Sequence, residues 1–279
     1  MPILLAIVSA VLLGVSDYTG GRVSRSASPM AVTLVANVVG LIGIAVVLPV
    51  LGDPFPAAVD LAWGAGAGLC GVIGVVCLYW ALAHGAMTVV APATSIVAAG
   101  LPIAVGLSLG ERPGLPAFVG MLVGLTAIAL IAGVLGIAHA STSPRILGVA
   151  AVAGLGFGLL FVMYGRTSDA SGMWPLAAGR ISVIPILLAI CLATGALATL
   201  RGRPIRFAVL VGLLGLIANV AYLVAVRQGL LSIVAVVVAL YPASTVVLAT
   251  VLDGERMTRS QMAGLWLAGT ALVLVTVGS

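Results

Sequence analysis

Long apolar runs, separated by short polar stretches, make up nearly the whole chain. Ten such runs can be drawn, at about 3–20, 29–51, 61–83, 87–109, 115–138, 146–165, 173–199, 206–226, 230–252 and 260–278. A helix that crosses a bilayer needs roughly 20 predominantly apolar residues, and each run is close to that length. The stretches between them are too short to fold as a soluble domain. The pattern predicts an all-α integral membrane protein with ten transmembrane helices. The first run is expected to be retained, because Met1-Pro2 precedes it without a positive charge and no small-residue cleavage site follows at the right distance.

Two of the polar stretches are related. "SLGERPGLPAFVG" runs from Ser108 to Gly120 and "VLDGERMTRSQMAG" from Val251 to Gly264. Gly110, Glu111, Arg112 and Gly120 each precede Gly254, Glu255, Arg256 and Gly264 by 144 residues. The same offset pairs Gly14 with Gly158, Arg22 with Arg166, Gly68 with Gly212, Gly71 with Gly215 and Gly85 with Gly229. The chain therefore reads as two homologous five-helix halves, 1–138 and 146–279. Five is odd, so the second half must enter the membrane from the opposite side. Two inverted five-helix repeats follow, a recurring architecture of transporters.

Composition agrees with the pattern. Hydrophobic residues are 62% of the chain and charged residues 7%, against about 25% charged in a soluble domain. All twelve cationic residues are arginines. Connections 1–2, 3–4, 5–6, 7–8 and 9–10 carry Arg22, Arg25, Arg145, Arg201, Arg203, Arg206, Arg256 and Arg259. The alternate connections carry only Arg112, Arg166 and Arg227, and Arg180 is embedded. The positive-inside rule then places both termini outside the cytoplasm. The net charge of +5 is explained by topology, with no call for a nucleic-acid partner.

Several chemistries lack their residues. A phosphate-binding loop ending in Gly-Lys-Ser/Thr is impossible without lysine. An intramembrane enzyme would need a nucleophile-base pair or clustered acids, and His84 and His139 stand far apart at boundary positions. Cys70, Cys77 and Cys191 fall inside apolar runs, where packing explains them better than a disulfide or metal. No enzyme activity, cofactor or metal is expected. The Gly-Glu-Arg triplets read as structural. Glu111 and Glu255 precede the fifth helix of each half, where acidic charge favours a helix start. Thr258-x-x-Gln261 fits a capping box, and Pro113 and Pro116 suit a helix entry.

Two five-helix halves, each with Gly-Glu-Arg between its fourth and fifth helices, resemble the drug/metabolite transporter superfamily, EamA-domain type. The opening "GVSDYTGGRVSRSASPMAVTLVANVVGL", Gly14 to Leu41, is similar to the first hairpin of bacterial EamA proteins. The resemblance covers essentially the whole chain. It implies ten helices, a central cavity between the halves, residence in the bacterial inner membrane, and export of small metabolites or drugs. Its motifs do not name a substrate.

Function is expected where polarity enters the hydrocarbon, since charges there are costly and face a bundle interior or cavity. Asp17 lies near the end of helix 1, and Arg180 about two turns inside helix 7. Their offset partners are Phe161 and Ala36, with Asn37 beside the latter. Asp17 is the candidate coupling residue, where a cation and a proton would compete. A fixed ion pair with Arg22 or Arg180 is the structural alternative. Arg180 would attract a carboxylate or phosphate, or else snorkel to the interface. Tyr79, Trp80, Ser95, Tyr164, Asn219, Tyr222 and Tyr241 could offer further aromatic or hydrogen-bonding groups. Tyr164, Trp63 and Trp174 read as interface anchors. Pro92 and Pro242, in the fourth helix of each half, could bend their helices. The partners implied are a small-molecule substrate, the lipid bilayer and a proton; either a monomer or a homodimer is compatible. Export of lipophilic cations, or a non-transporting accessory subunit packed through Gly64/Gly68 and Gly120/Gly124, are the competing readings.

Overall fold

The computed structural model describes residues 1–131 and 143–278, so His139, the last residues of the run 115–138, and Ser279 lie outside the described residues. Among the described residues every regular element is helical, as a bilayer requires of a segment that must satisfy its own backbone groups. The first half comprises α1 (Pro2–Val23), α2 (Pro29–Leu51), α3 (Ala58–His84), α4 (Met87–Ser108) and α5 (Leu115–Ile131). The second comprises α6 (Pro144–Gly165), α7 (Trp174–Thr194), α8 (Arg203–Gln228), α9 (Leu231–Val238), α10 (Pro242–Asp253) and α11 (Arg259–Val277). With α9 and α10 counted as one span, nine stretches among the described residues are long and apolar enough to cross a membrane, and α5 is a shorter apolar helix.

The run expected at 230–252 is not one continuous helix. It breaks at residues 239–241, because Pro242 has no N–H to give the carbonyl of Val238. The Tyr241 N–H takes that carbonyl instead, at 3.0 Å. Ser95 Oγ then donates to the freed carbonyl of Ala239, at 2.6 Å. The corresponding fourth helix of the first half, α4, runs unbroken past Pro92 and Pro102. The seventh run, expected to reach 199, ends at Thr194, where Gly195 turns at φ 66 and a short 3-10 turn follows.

Packing between the halves is reciprocal. α3 on α6 is matched by α8 on α1, α3 on α7 by α8 on α2, and α4 on α6 by α9 and α10 on α1, while α5 packs on α11. This is the pairing that a two-fold axis between the repeats produces. The closest approaches run over glycine, as in other membrane bundles. A Cβ on Gly68 would strike the backbone of Gly179, one on Gly64 that of Pro175, and one on Gly120 that of Val275. The glycine pairs noted in the sequence thus pack helices within the chain.

The connections sort onto two faces. On one, Arg22 pairs with Asp253 at 2.6 Å and Arg25 with Glu255 at 3.9 Å. There the Ser28 N–H also donates to Thr199 Oγ1, and Arg145 lies over the Trp80 ring. This is the arginine-rich face. On the other, Asp60 accepts from the N–H and Oγ of Ser168, Asp53 accepts from the Met173 N–H, and Arg227 donates to Ser171 Oγ at 2.8 Å.

The Gly-Glu-Arg motif needs a correction. Its glycines have left-handed backbone, with φ 91 at Gly110 and φ 71 at Gly254, so the glycine is conformational. Glu111, however, does not start α5. Its carboxylate accepts from the N–H groups of Leu231 at 2.7 Å and Ser232 at 2.9 Å, capping α9 in the opposite half. The expected capping box at Thr258 and Gln261 is present at the start of α11.

Candidate functional site

A cavity of about 130 Å³ lies between the halves, roughly tenfold the space one water needs. It is walled by α1, α2 and α3 from the first half and α6, α7 and α8 from the second, with Tyr241 reaching in from the break before α10. Offset partners line it together: Leu13 with Phe157, Asp17 with Phe161, Ala36 with Arg180, Gly68 with Gly212, and Val75 with Asn219. The cavity therefore sits on the axis relating the repeats.

Two charges enter this space from opposite ends. Asp17 stands six residues before the end of α1 at the arginine-rich face, and Arg180 six residues after the start of α7 at the other. Each is about 9 Å from its face at 1.5 Å per residue, in helices roughly 30 Å long. Asp17 is 5% exposed and forms no ion pair among the described residues. Arg22 is committed to Asp253 and to the Tyr18 hydroxyl, which rules out the expected alternative of an Asp17–Arg22 pair. The Asp17 charge acts on the hydroxyls of Tyr79 and Tyr241. Tyr79 is held against α1 because Gly20 leaves room for its ring. The Tyr241 hydroxyl is buried beside Ser95.

Arg180 makes the opposite pole. It is 7% exposed; Nη1 donates to its own helix at the Leu176 carbonyl, at 3.1 Å, and Nε has no partner. The guanidinium crosses to α2, where a Cβ on Gly40 would collide with it. It therefore points across the bundle and does not snorkel. Its charge acts on Tyr164, which lines the cavity. The reading of Tyr164 as an interface anchor is corrected: it shares a face of α6 with Phe157 and Phe161, at the i, i+4, i+7 spacing that could have revealed it. Between the poles, Asn37 and Asn219 donate Nδ2 to the carbonyls of Thr33 and Gly215, which leaves each amide oxygen for the cavity.

Three expected site residues lie elsewhere. Trp80 faces away from the cavity, stacked on His84 with ring centroids 4.4 Å apart. Ser95 is spent on the Ala239 carbonyl at the helix break. Tyr222 stands behind the wall, its hydroxyl donating to the Phe161 carbonyl at 2.8 Å and its ring against that of Phe161. Asp60 and Glu111 were missed as inter-helix hydrogen-bond acceptors, since short connections conceal which distant N–H groups they meet. Among the described residues, no cluster of three or more His, Cys, Asp or Glu is arranged to hold a metal.

Comparison with curated protein sequences gave no match. A solved structure titled "Crystal structure of protein" shares the fold, with a TM-score of 0.70 at 17% identity over 99% of this chain and 96% of the other. The sequence itself matches the EamA-like transporter family twice, over residues 1–133 and 145–277. The chain belongs to the EamA-like transporter family, and with it to the multi-pass membrane proteins that transport small solutes.

Proposed function

We propose that the protein is a secondary active exporter of small amino-acid-like or amphipathic metabolites. It works by alternating access, rocking repeat 1–138 against repeat 146–279 around the central cavity. The observation that carries this reading is that the Arg180 guanidinium and the Asp17 carboxylate both line that cavity with no ion-pair partner among the described residues. A buried charge without a partner is costly, so a ligand of opposite sign is the natural compensation. The two poles stand on helices that enter from opposite faces, Asp17 on α1 and Arg180 on α7. A solute carboxylate held at Arg180 thus leaves Asp17 free to exchange a proton. The arginine-rich face is cytoplasmic in this scheme, in the bacterial inner membrane, with both termini outside.

A second reading is export of lipophilic cations. It is favoured by the setting of Asp17, an acid that shares its end of the cavity with the rings of Tyr79 and Tyr241. The test begins with a metabolite and toxicity screen of overexpressing against empty-vector cells. Purified protein in proteoliposomes then follows each hit with and without an imposed proton gradient. Asp17→Asn keeps the shape and abolishes titration, so it should exchange substrate yet fail to respond to the gradient. Uphill transport by Asp17→Asn at the parent rate would remove Asp17 as the coupling group.

A further inference from the structure

A second cavity, of about 210 Å³, lies outside the central one, at the arginine-rich end of the groove between α2, α3 and α6. Its walls are mostly apolar, formed by Pro29, Met30, Val76, Cys77 and Val149, with Ser28 and the indole of Trp80 at the end nearest the face. Along the same helix faces, one turn deeper, stand Ile73, 53% exposed, and Val152, 46% exposed. The cavity therefore continues an outward-facing apolar strip that runs down α3 and α6 into the hydrocarbon. At its mouth the Arg145 guanidinium lies over the Trp80 ring, 5.9 Å from the centroid, and His84, one turn on along α3, stacks on the same ring.

Arg145 is exposed and has no carboxylate partner among the described residues. The acids on this face are engaged elsewhere, Asp253 with Arg22 and Glu255 with Arg25. A groove lined by hydrocarbon, ending in an aromatic ring and a free cation at interface depth, matches one kind of molecule: an acyl chain carrying an anionic headgroup. We propose that this groove is a binding site for an anionic phospholipid, with an acyl chain against Met30, Cys77 and Val149 and the phosphate at Arg145. The attraction comes from charge complementarity at the mouth, and the indole supplies the amphipathic surface typical of a headgroup boundary. The site is separate from the central cavity and does not depend on what that cavity transports.

The test is native mass spectrometry of the full-length protein in detergent, titrated with phosphatidylglycerol or phosphatidylcholine of identical acyl chains. The first phosphatidylglycerol should bind about fivefold more tightly than the first phosphatidylcholine, the weight of one basic residue near an anionic headgroup. Arg145→Gln should abolish that preference, while Arg259→Gln, exposed on the same face, should retain it. Met30→Trp, which fills the groove, should weaken both lipids. Glycerol phosphate at equal concentration should not displace the bound lipid, since it lacks the chain. Equal binding of the two lipids by the parent would overturn the proposal, as would an unchanged preference in Arg145→Gln. Displacement by glycerol phosphate would overturn it in favour of a simple anion site.

Discussion

Removing the Glu111 carboxylate tests how the two halves are held together. Glu111 belongs to the α4–α5 connection of the first half, yet its two oxygens take the N–H groups of Leu231 and Ser232 at the start of α9. Hydrogen bonds to a charged group contribute about 1.5–3 kcal/mol each, and a carboxylate at a helix N-terminus adds about 0.3–1 kcal/mol through the helix dipole. Glu111→Ala removes both bonds and leaves two partly buried donors, so a loss of about 3–5 kcal/mol is expected, allowing for water to reach the site. Glu111→Gln keeps one acceptor and turns an amide donor toward the other N–H, and should fall roughly halfway. The neighbouring Arg112 is exposed, and Arg112→Ala should change stability by less than about 0.5 kcal/mol. Denaturation in detergent gives the ranking, and hydrogen exchange gives the location. Deprotection should concentrate in residues 231–236 of α9. If Glu111→Ala instead deprotects the first turn of α5, or melts like the parent, the carboxylate does not clasp the opposite half.

Three further outcomes follow from the same geometry. Gly68→Val should destabilise by at least the roughly 1–3 kcal/mol of an overpacked core, because its Cβ meets the backbone of Gly179; unchanged melting would mean that α3 and α7 do not pack there. Arg180→Ala should weaken a carboxylate-bearing solute about 10- to 100-fold in a binding titration, in line with one charge-assisted bond, and leave neutral and cationic solutes unaffected. A reporter fused after Ser279 should be active on the periplasmic side and one inserted at residues 201–206 in the cytoplasm, with the opposite pattern refuting the proposed topology.

The spans and the repeat were legible because they rest on properties that a bilayer imposes locally. Hydropathy marks each helix, and an odd number of helices per half sets the inversion. The Ala239–Tyr241 break was harder to see, since Pro92, Pro102 and Pro242 carry the same local signal and only the last interrupts its helix. The difference is that Ser95, on a helix distant in sequence, takes up the carbonyl released there. Depth alone singled out Asp17 and Arg180, and both line the central cavity. It misled for Trp80 and Tyr164, four residues and one residue from a helix end, where the direction around the helix decides between lipid and cavity. Direction depends on which neighbours pack on either side, information spread across both halves of the chain.

The repeat offset itself separates scaffold from site. Residues that hold the bundle together keep their identity across the two copies: Gly68 and Gly212, Gly71 and Gly215, Glu111 and Glu255, Gly120 and Gly264. The polar residues facing the cavity do not. Asp17 answers to Phe161, Arg180 to Ala36, Asn219 to Val75, Tyr164 to Gly20 and Tyr241 to Val97. A cavity on an exact two-fold axis would present the same charge toward each face and treat both directions alike. Here the symmetric positions are retained while their chemistry has diverged, an acid toward the arginine-rich face and a base toward the other. The duplicated backbone can rock symmetrically, but a charged solute meets an asymmetric path. Directionality can therefore be sought in the few residues that break the repeat, and exchanging one such pair, Arg180→Ala with Ala36→Arg, would move the cationic pole to the opposite depth without altering the fold's symmetry.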